Sequence, residues 1–174
     1  MPAPSTPQAQ HCFGFELDFV GSWRCIPLCV RRKLDLIGLK LKLNHWLALS
    51  QPQRQELVDW PDTPQALQGL KQHLLDCTAT MADGQARLLP PAQGEPWQLD
   101  GCVPPHVVQA AQERGVALSP ANWSQLSELG RFALCKLARP GHDHHNLDAA
   151  LAELLPAGHS VTTATGGGAR GVVS

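Results

Sequence analysis

No apolar run in the sequence reaches the roughly 18 residues that a membrane-spanning helix needs, which excludes a bilayer-spanning protein of the helical type. The first residues, Met-Pro-Ala-Pro-Ser-Thr-Pro-Gln-Ala-Gln, have neither the basic nor the following apolar region of a secretory signal. The expectation is therefore a soluble, cytoplasmic protein. An excess of charge of either sign is also missing: 14 Lys and Arg stand against 15 Asp and Glu. No global field draws the chain to nucleic acid or to a membrane surface, and an anionic partner would have to meet a local patch. Gly-x-Gly-x-x-Gly, Walker, Gly-x-Ser-x-Gly and His-Glu-x-x-His patterns are absent, and no pair of carboxylates stands apart from the ordinary solvated charges. The sequence predicts no enzyme and no bound cofactor. Six cysteines could in number form three disulfides, but nothing places the chain in an oxidising compartment, so free, largely buried thiols are expected.

What is present is a repetition. A shift of 77 positions carries Cys25 onto Cys102, Pro27 onto Pro104, Val30 onto Val107, Gly38 onto Gly115 and Leu41 onto Leu118. Without a gap it also carries Trp46 onto Trp123, Leu49 onto Leu126, Ser50 onto Ser127, Arg54 onto Arg131 and Leu57 onto Leu134. That is ten identities in 34 positions, where unrelated sequences give roughly two. The predicted fold is all-α: a compact single helical domain built from two pseudo-repeated helical units, about 25–58 and 102–135.

The local signals agree with that plan. Leu28, Val30, Leu34 and Ile37 recur on one helical face, and Gly38 stands where a left-handed C-terminal residue belongs. Trp46 and Leu49 fall on a second short helix, Ser50 caps a third with Pro52 in its first turn, and Thr63-Pro64 opens a longer helix that bridges the two copies. Helices are predicted near 105–114, 120–127 and 128–138, with Ser119-Pro120 as a start signal, and a last one follows Asn146. Residues 83–104, rich in Pro and Gly, read as irregular linker. The Leu39, Leu41, Leu43 alternation resembles a strand, but the second copy reads Val-Ala-Leu-Ser-Pro there, so a helix-to-helix connector is predicted. Phe13, Phe15, Leu17 and Phe19 alternate likewise and, with no strand to pair with, are read as an extended arm laying aromatic rings on the core. Residues 1–11 and 157–174 are predicted to be disordered tails around a 12–156 domain.

Three groups of residues are candidates for function. Cys25 and Cys29, four apart, would stack on one face of a helix, and the repeat offers Cys102 and His106 as matching ligands for a metal; small buried thiols are the alternative reading. The turn containing His142, His144 and His145 is ligand-rich, or simply a surface loop before a helix. Finally Arg24, Arg31, Arg32, Lys33, Lys40 and Lys42 crowd into one stretch, while Arg131, Lys136 and Arg139 occupy the second copy, continuing to His142. A basic strip on a near-neutral protein suits an acidic partner, or is a solvated helix face. The residues chosen as partner-binding are Arg24, Arg31, Lys33, Arg131, Lys136, Arg139 and His142.

Phe15-Glu16-Leu17-Asp18-Phe19-Val20, then Arg24-Cys25-Ile26-Pro27, Val30-Arg31, Lys33-Leu34-Asp35 and Gly38-Leu39-Lys40-Leu41 resemble the opening of the nitrate reductase associated protein family. Trp123-x-x-Leu126, Arg131-Phe132-Ala133-Leu134, Lys136-Leu137, Arg139-Pro140-Gly141-His142 and Asn146 resemble its closing part. Cys29 and His144-His145 depart from the family pattern, which weakens a metal site built on them. The resemblance implies a small cytosolic accessory protein whose partner is assimilatory nitrate reductase, a molybdenum-cofactor enzyme, rather than an enzyme in its own right. A metal or cofactor carrier using the Cys and His residues is the alternative.

Overall fold

The computed structural model describes residues 7–17, 21–140 and 146–155, and the chain is mostly helical. Helix α1 spans Leu28–Ile37. It is followed by a two-residue strand β1 (Leu39–Lys40), α2 (Leu43–Ala48), α3 (Gln51–Asp59) and α4 (Pro64–Thr78). Then come β2 (Arg87–Leu88), α5 (Pro105–Glu113), α6 (Pro120–Gln125), α7 (Glu128–Leu137) and α8 (Leu147–Leu154). Single 3-10 turns lie at Gln8–Gln10, Gly14–Glu16 and Pro96–Gln98.

The helices begin where the caps say they should. The hydroxyls of Ser50, Thr63, Ser119 and Ser127 each accept a backbone N–H three residues on, satisfying a donor that the helix itself leaves free. Asn146, expected to cap α8, makes no such bond. Helix α7 runs through the middle of the core: Phe132, Ala133 and Leu134 are fully buried, and it packs on α1, α8 and the Pro96–Gln98 turn. Trp46 and Trp123 are fully buried too, and each indole N–H donates to a main-chain carbonyl, of Trp23 and of Leu99 respectively, at 2.9 Å.

Three expectations need correction. Leu39 and Lys40 form a strand after all, paired antiparallel as Leu39 with Leu88 and Lys40 with Arg87, so 83–104 is not a free linker. Gly38 makes this possible: at φ 68° it ends α1, its carbonyl accepts Leu89 N at 2.8 Å, and a Cβ there would collide with the Leu89 carbonyl oxygen. The second copy has no counterpart, because 116–118 pairs with nothing as a strand. Next, residues 7–11 are not a loose arm. Ala9 is buried, Gln8 Oε1 accepts Leu129 N at 3.0 Å, and Gln10 Nε2 donates to the Asp59 carbonyl at 2.8 Å. Last, the Phe13 to Phe19 stretch is not extended throughout. Gly14–Glu16 is a 3-10 turn that stacks Phe13 on Phe15 at 5.0 Å, and Leu17 is 59 % exposed. Phe19, residues 1–6 and the tail 157–174 lie outside the described residues.

The stretches related by the 77-residue shift share local features: a left-handed glycine (Gly38, φ 68°; Gly115, φ 71°), six-residue helices carrying the tryptophans, and serine caps at 50 and 127. They differ in the strand after Gly38 and in the start of the tryptophan helix, which has Ser119-Pro120 in one copy and Lys42-Leu43 in the other. The pseudo-repeat of whole units rests on the sequence.

The interior also holds a lysine. Lys33 is 0 % exposed, and its ammonium donates to the carbonyls of Leu57, Val58 and Trp60 at 2.6, 3.0 and 2.9 Å, closing the C-terminal end of α3. Loss of water around it lowers the amine from 10.5 to about 8. Lys33→Met leaves those acceptors without their donor, and an unsatisfied buried acceptor costs about 1–3 kcal/mol, so urea unfolding at neutral pH should show a loss of about 2 kcal/mol or more. Because the unfolded chain binds more proton between the folded and unfolded values, wild-type stability from this group is lowest below pH 8 and grows toward pH 10.5. The stability difference between wild type and variant is thus expected to be flat near pH 6–7 and to widen, by on the order of 3 kcal/mol, across that window.

Candidate functional site

The surface of interest forms where the N-terminal turn of α1 meets the C-terminal end of α7. Glu16 organises it. Its carboxylate accepts Leu28 N at 2.8 Å and Phe13 N at 3.0 Å, so it occupies the positive end of α1, where Pro27 brings no side-chain cap. Burial raises this carboxyl above its usual range, and its two backbone hydrogen bonds oppose the rise. On the other side Glu153 of α8 accepts the N–H groups of Gly14 and Phe15 at 3.1 and 3.2 Å. The strap from 13 to 16 is thereby held between two carboxylates and presents Phe15 outward.

On this base two hollows open, separated by Lys136 and Arg139, which line both. The smaller, about 310 Å³, has Phe15, Ile26, Leu28 and Leu137 as apolar walls, with Glu16, Cys25, Arg31 and Asn146 completing it. The larger, about 760 Å³, runs between the end of α1, the 89–97 segment and α7, and includes Asp35, Glu95, Trp97 and His106. Its wall is tied to α1 by Ala92 N donating to the Asp35 carbonyl at 2.8 Å. Lys136 is half-buried, pairs with Asp35 at 3.1 Å and lies 5.1 Å from the centre of the Phe132 ring. Arg31 is exposed, and its Nε donates to the Ile26 carbonyl at 3.0 Å. Arg139 is exposed; its main-chain N–H donates to the Lys136 carbonyl at 3.5 Å, and among the described residues its guanidinium makes no hydrogen bond or ion pair.

The structure thus joins Arg31 from one sequence copy with Lys136 and Arg139 from the other around one hollow; Arg24 is exposed and adjoins it in sequence through Cys25. It removes Lys33 and Arg131 from the docking set. Lys33 caps α3, and Arg131, 8 % exposed, donates from Nε to the Trp97 carbonyl at 3.0 Å and from Nη1 to the Leu126 carbonyl at 2.6 Å. Arg32 is likewise internal, bridging Asp62 and Glu128 at 2.9 Å each. The predicted strip from Arg131 to His142 shortens to Lys136 and Arg139, while His142, His144 and His145 lie outside the described residues. The repeat held the missed signal: Arg54 matches Arg131, and Arg54 too is spent on carbonyls, those of Trp46, Leu47 and Trp23.

The metal arrangement is not assembled by the described residues. Cys25 precedes α1, which starts only after the extended Pro27, so it does not stack on Cys29 along a helix. Cys29 is fully buried in the core instead. Cys102 is exposed, and His106 lies in the larger hollow with Nε2 3.3 Å from the Cys135 carbonyl oxygen. Among the described residues no three His, Cys, Asp or Glu side chains are grouped to hold a metal ion, and no helix is long and apolar enough to cross a membrane.

A mostly helical domain with a cationic ridge between two open hollows is the class of protein that fold and site define. Residues 12–154 match the family model described as conserved nitrate reductase-associated protein, and the chain belongs to that family. Comparison with curated proteins and with solved structures gave no match.

The division between internal and surface cations is open to direct measurement. Arg131→Met should lower unfolding free energy by about 2–4 kcal/mol, since it strands two buried carbonyls. Arg139→Glu should change it by less than about 0.5 kcal/mol. Urea denaturation of the two variants checks the assignment, and equal effects would contradict it.

Proposed function

We propose that the chain is a non-catalytic accessory factor that binds assimilatory nitrate reductase and supports its maturation or activity, and that it meets the reductase through Arg31, Lys136 and Arg139, with Arg24 beside them. The observation that carries this reading is the convergence of three cations, one from α1 and two from the end of α7 and the residues just after it, around one apolar-walled hollow. Arginine guanidinium groups suit bidentate contact with carboxylates, and an apolar floor beneath them excludes water from the contact and strengthens it. The complementary surface is an acidic patch of the reductase flanking an apolar side chain. Family membership supplies the choice of partner.

The test is binding of the purified reductase to the double variant Arg31→Glu, Arg139→Glu. Affinity should fall at least tenfold relative to wild type and, for wild type, weaken as salt is raised. Helical circular dichroism and thermal midpoint should stay near wild-type values, and cells carrying the variant should show reduced nitrate reductase activity. Unaltered affinity in the folded double variant would move the docking surface elsewhere, with exposed Lys40 and Lys42 the next cations to exchange.

A further inference from the structure

The two-stranded ribbon carries a second set of cations that the proposed docking does not use. Leu39 faces Leu88 and Lys40 faces Arg87, and continuing that register sets Leu41 opposite Ala86 and Lys42 opposite Gln85. Side chains of a strand alternate between its faces. Leu39, Leu41 and Ala86 therefore turn inward, where all three are buried, and only Leu88 on that side stays exposed. Lys40, Lys42, Gln85 and Arg87 share the outer face, and all four are exposed. The same four side chains line one hollow of about 320 Å³, with no carboxylate in its wall. We propose that this hollow binds a diphosphate group, held by Lys40, Lys42 and Arg87 together.

The arrangement of charge carries the argument. Like charges directly opposite each other on neighbouring strands repel and destabilise the pairing, yet Lys40 and Arg87 are cross-strand partners and Lys42 follows on the same face. None of the three forms an ion pair among the described residues, so no acid of the fold relieves the repulsion. A bound anion does. The frame beneath is built to hold the two walls together: buried His45 accepts Lys42 N at Nδ1, 3.1 Å, which leaves Nε2 to donate to the Gly84 carbonyl at 2.7 Å. On the other wall Thr78 accepts Ala86 N at 2.9 Å, and Gln85 donates to the Leu75 carbonyl at 3.1 Å. The cations thus stand at two successive levels of the ribbon, about 7 Å apart along the strand, which suits two adjoining phosphoryl groups better than one. Arginine contacts phosphate bidentately and lysine acts on it as a point charge. The hollow has no aromatic or aliphatic wall residue, so a base or an acyl chain attached to the diphosphate finds nothing to pack on.

The full chain is titrated with pyrophosphate at neutral pH and low ionic strength by calorimetry, and the thermal midpoint is followed alongside. One-to-one binding is expected, weakening as salt is raised, with a rise in midpoint that follows saturation. The Lys40→Gln, Arg87→Gln variant should keep the wild-type circular dichroism and lose affinity at least tenfold, whereas Arg31→Gln, Arg139→Gln should bind as wild type does. Inorganic phosphate should bind at least tenfold more weakly than pyrophosphate, and ADP no more tightly. No saturable binding of pyrophosphate, unaltered affinity in the Lys40, Arg87 variant, an equal loss in the Arg31, Arg139 variant, or ADP at least tenfold tighter than pyrophosphate overturns the proposal. Should the double variant fail to fold, Lys42→Gln, which lies outside the paired residues, decides it by the same loss or retention of affinity. None of these measurements involves the reductase, so the outcome is independent of the docking reading.

Discussion

Lys33 gives its buried ammonium to three carbonyls at the end of α3, and the rest of the architecture depends on repeating that solution. Each helix leaves its last four carbonyls without internal donors, and helices α2 and α6 have only six residues, so they are almost entirely ends. Buried ends must find donors or carry a cost in desolvation. Arg54 supplies them for α2, reaching the carbonyls of Trp46 and Leu47, and Arg131 does so for α6 through Leu126. The tryptophans help from the other direction. Trp23, in the left-handed region at φ 56°, is fixed there by two donors on its carbonyl, the Trp46 indole and Arg54, which is how a costly backbone conformation is kept.

This use of cations explains why charge along the sequence was a poor map of the surface. Of the six basic residues between Arg24 and Lys42, Arg32 and Lys33 are consumed internally, one by a pair of carboxylates and one by carbonyls. In the second copy Arg131 is consumed as well. Lys136, at the negative end of α7, meets Asp35 of α1, and Arg139 lies just past that end; with Arg31 they make the ridge. The ridge is therefore drawn from the part of the basic inventory that the fold leaves at or near the surface.

Most helices were legible because their boundaries are written in single residues: serine and threonine caps, prolines in first turns, a glycine at φ 68°. What was not legible depends on contacts distant in sequence. The Leu39–Lys40 strand exists only because Arg87–Leu88 comes to lie beside it, and no local pattern announces partners 49 and 47 residues away. Residues 7–11 have a disordered composition, yet bonds to Leu129 and Asp59 fix them. The convergence of Arg31 with Lys136 and Arg139 has the same character, since each copy alone holds only part of the hollow. The Cys25 and Cys29 spacing misled for a local reason, because the helix begins after both Cys25 and Pro27.

Glu16 is the residue at which these separate features become one structure. It is simultaneously the cap of α1, the turn-former of the strap and a wall of the smaller hollow. Its neighbour Phe15 is a second wall and stacks on Phe13, which follows Cys12 directly. The first turn of α1 and the cationic hollow therefore share a single short segment, held from α8 by Glu153. Glu16 and Glu153 constrain that segment from within, and a partner seated against Phe15 and Arg31 would constrain it from outside. Two constraints that order the same segment reinforce each other, because the entropy lost to the first is not lost again to the second.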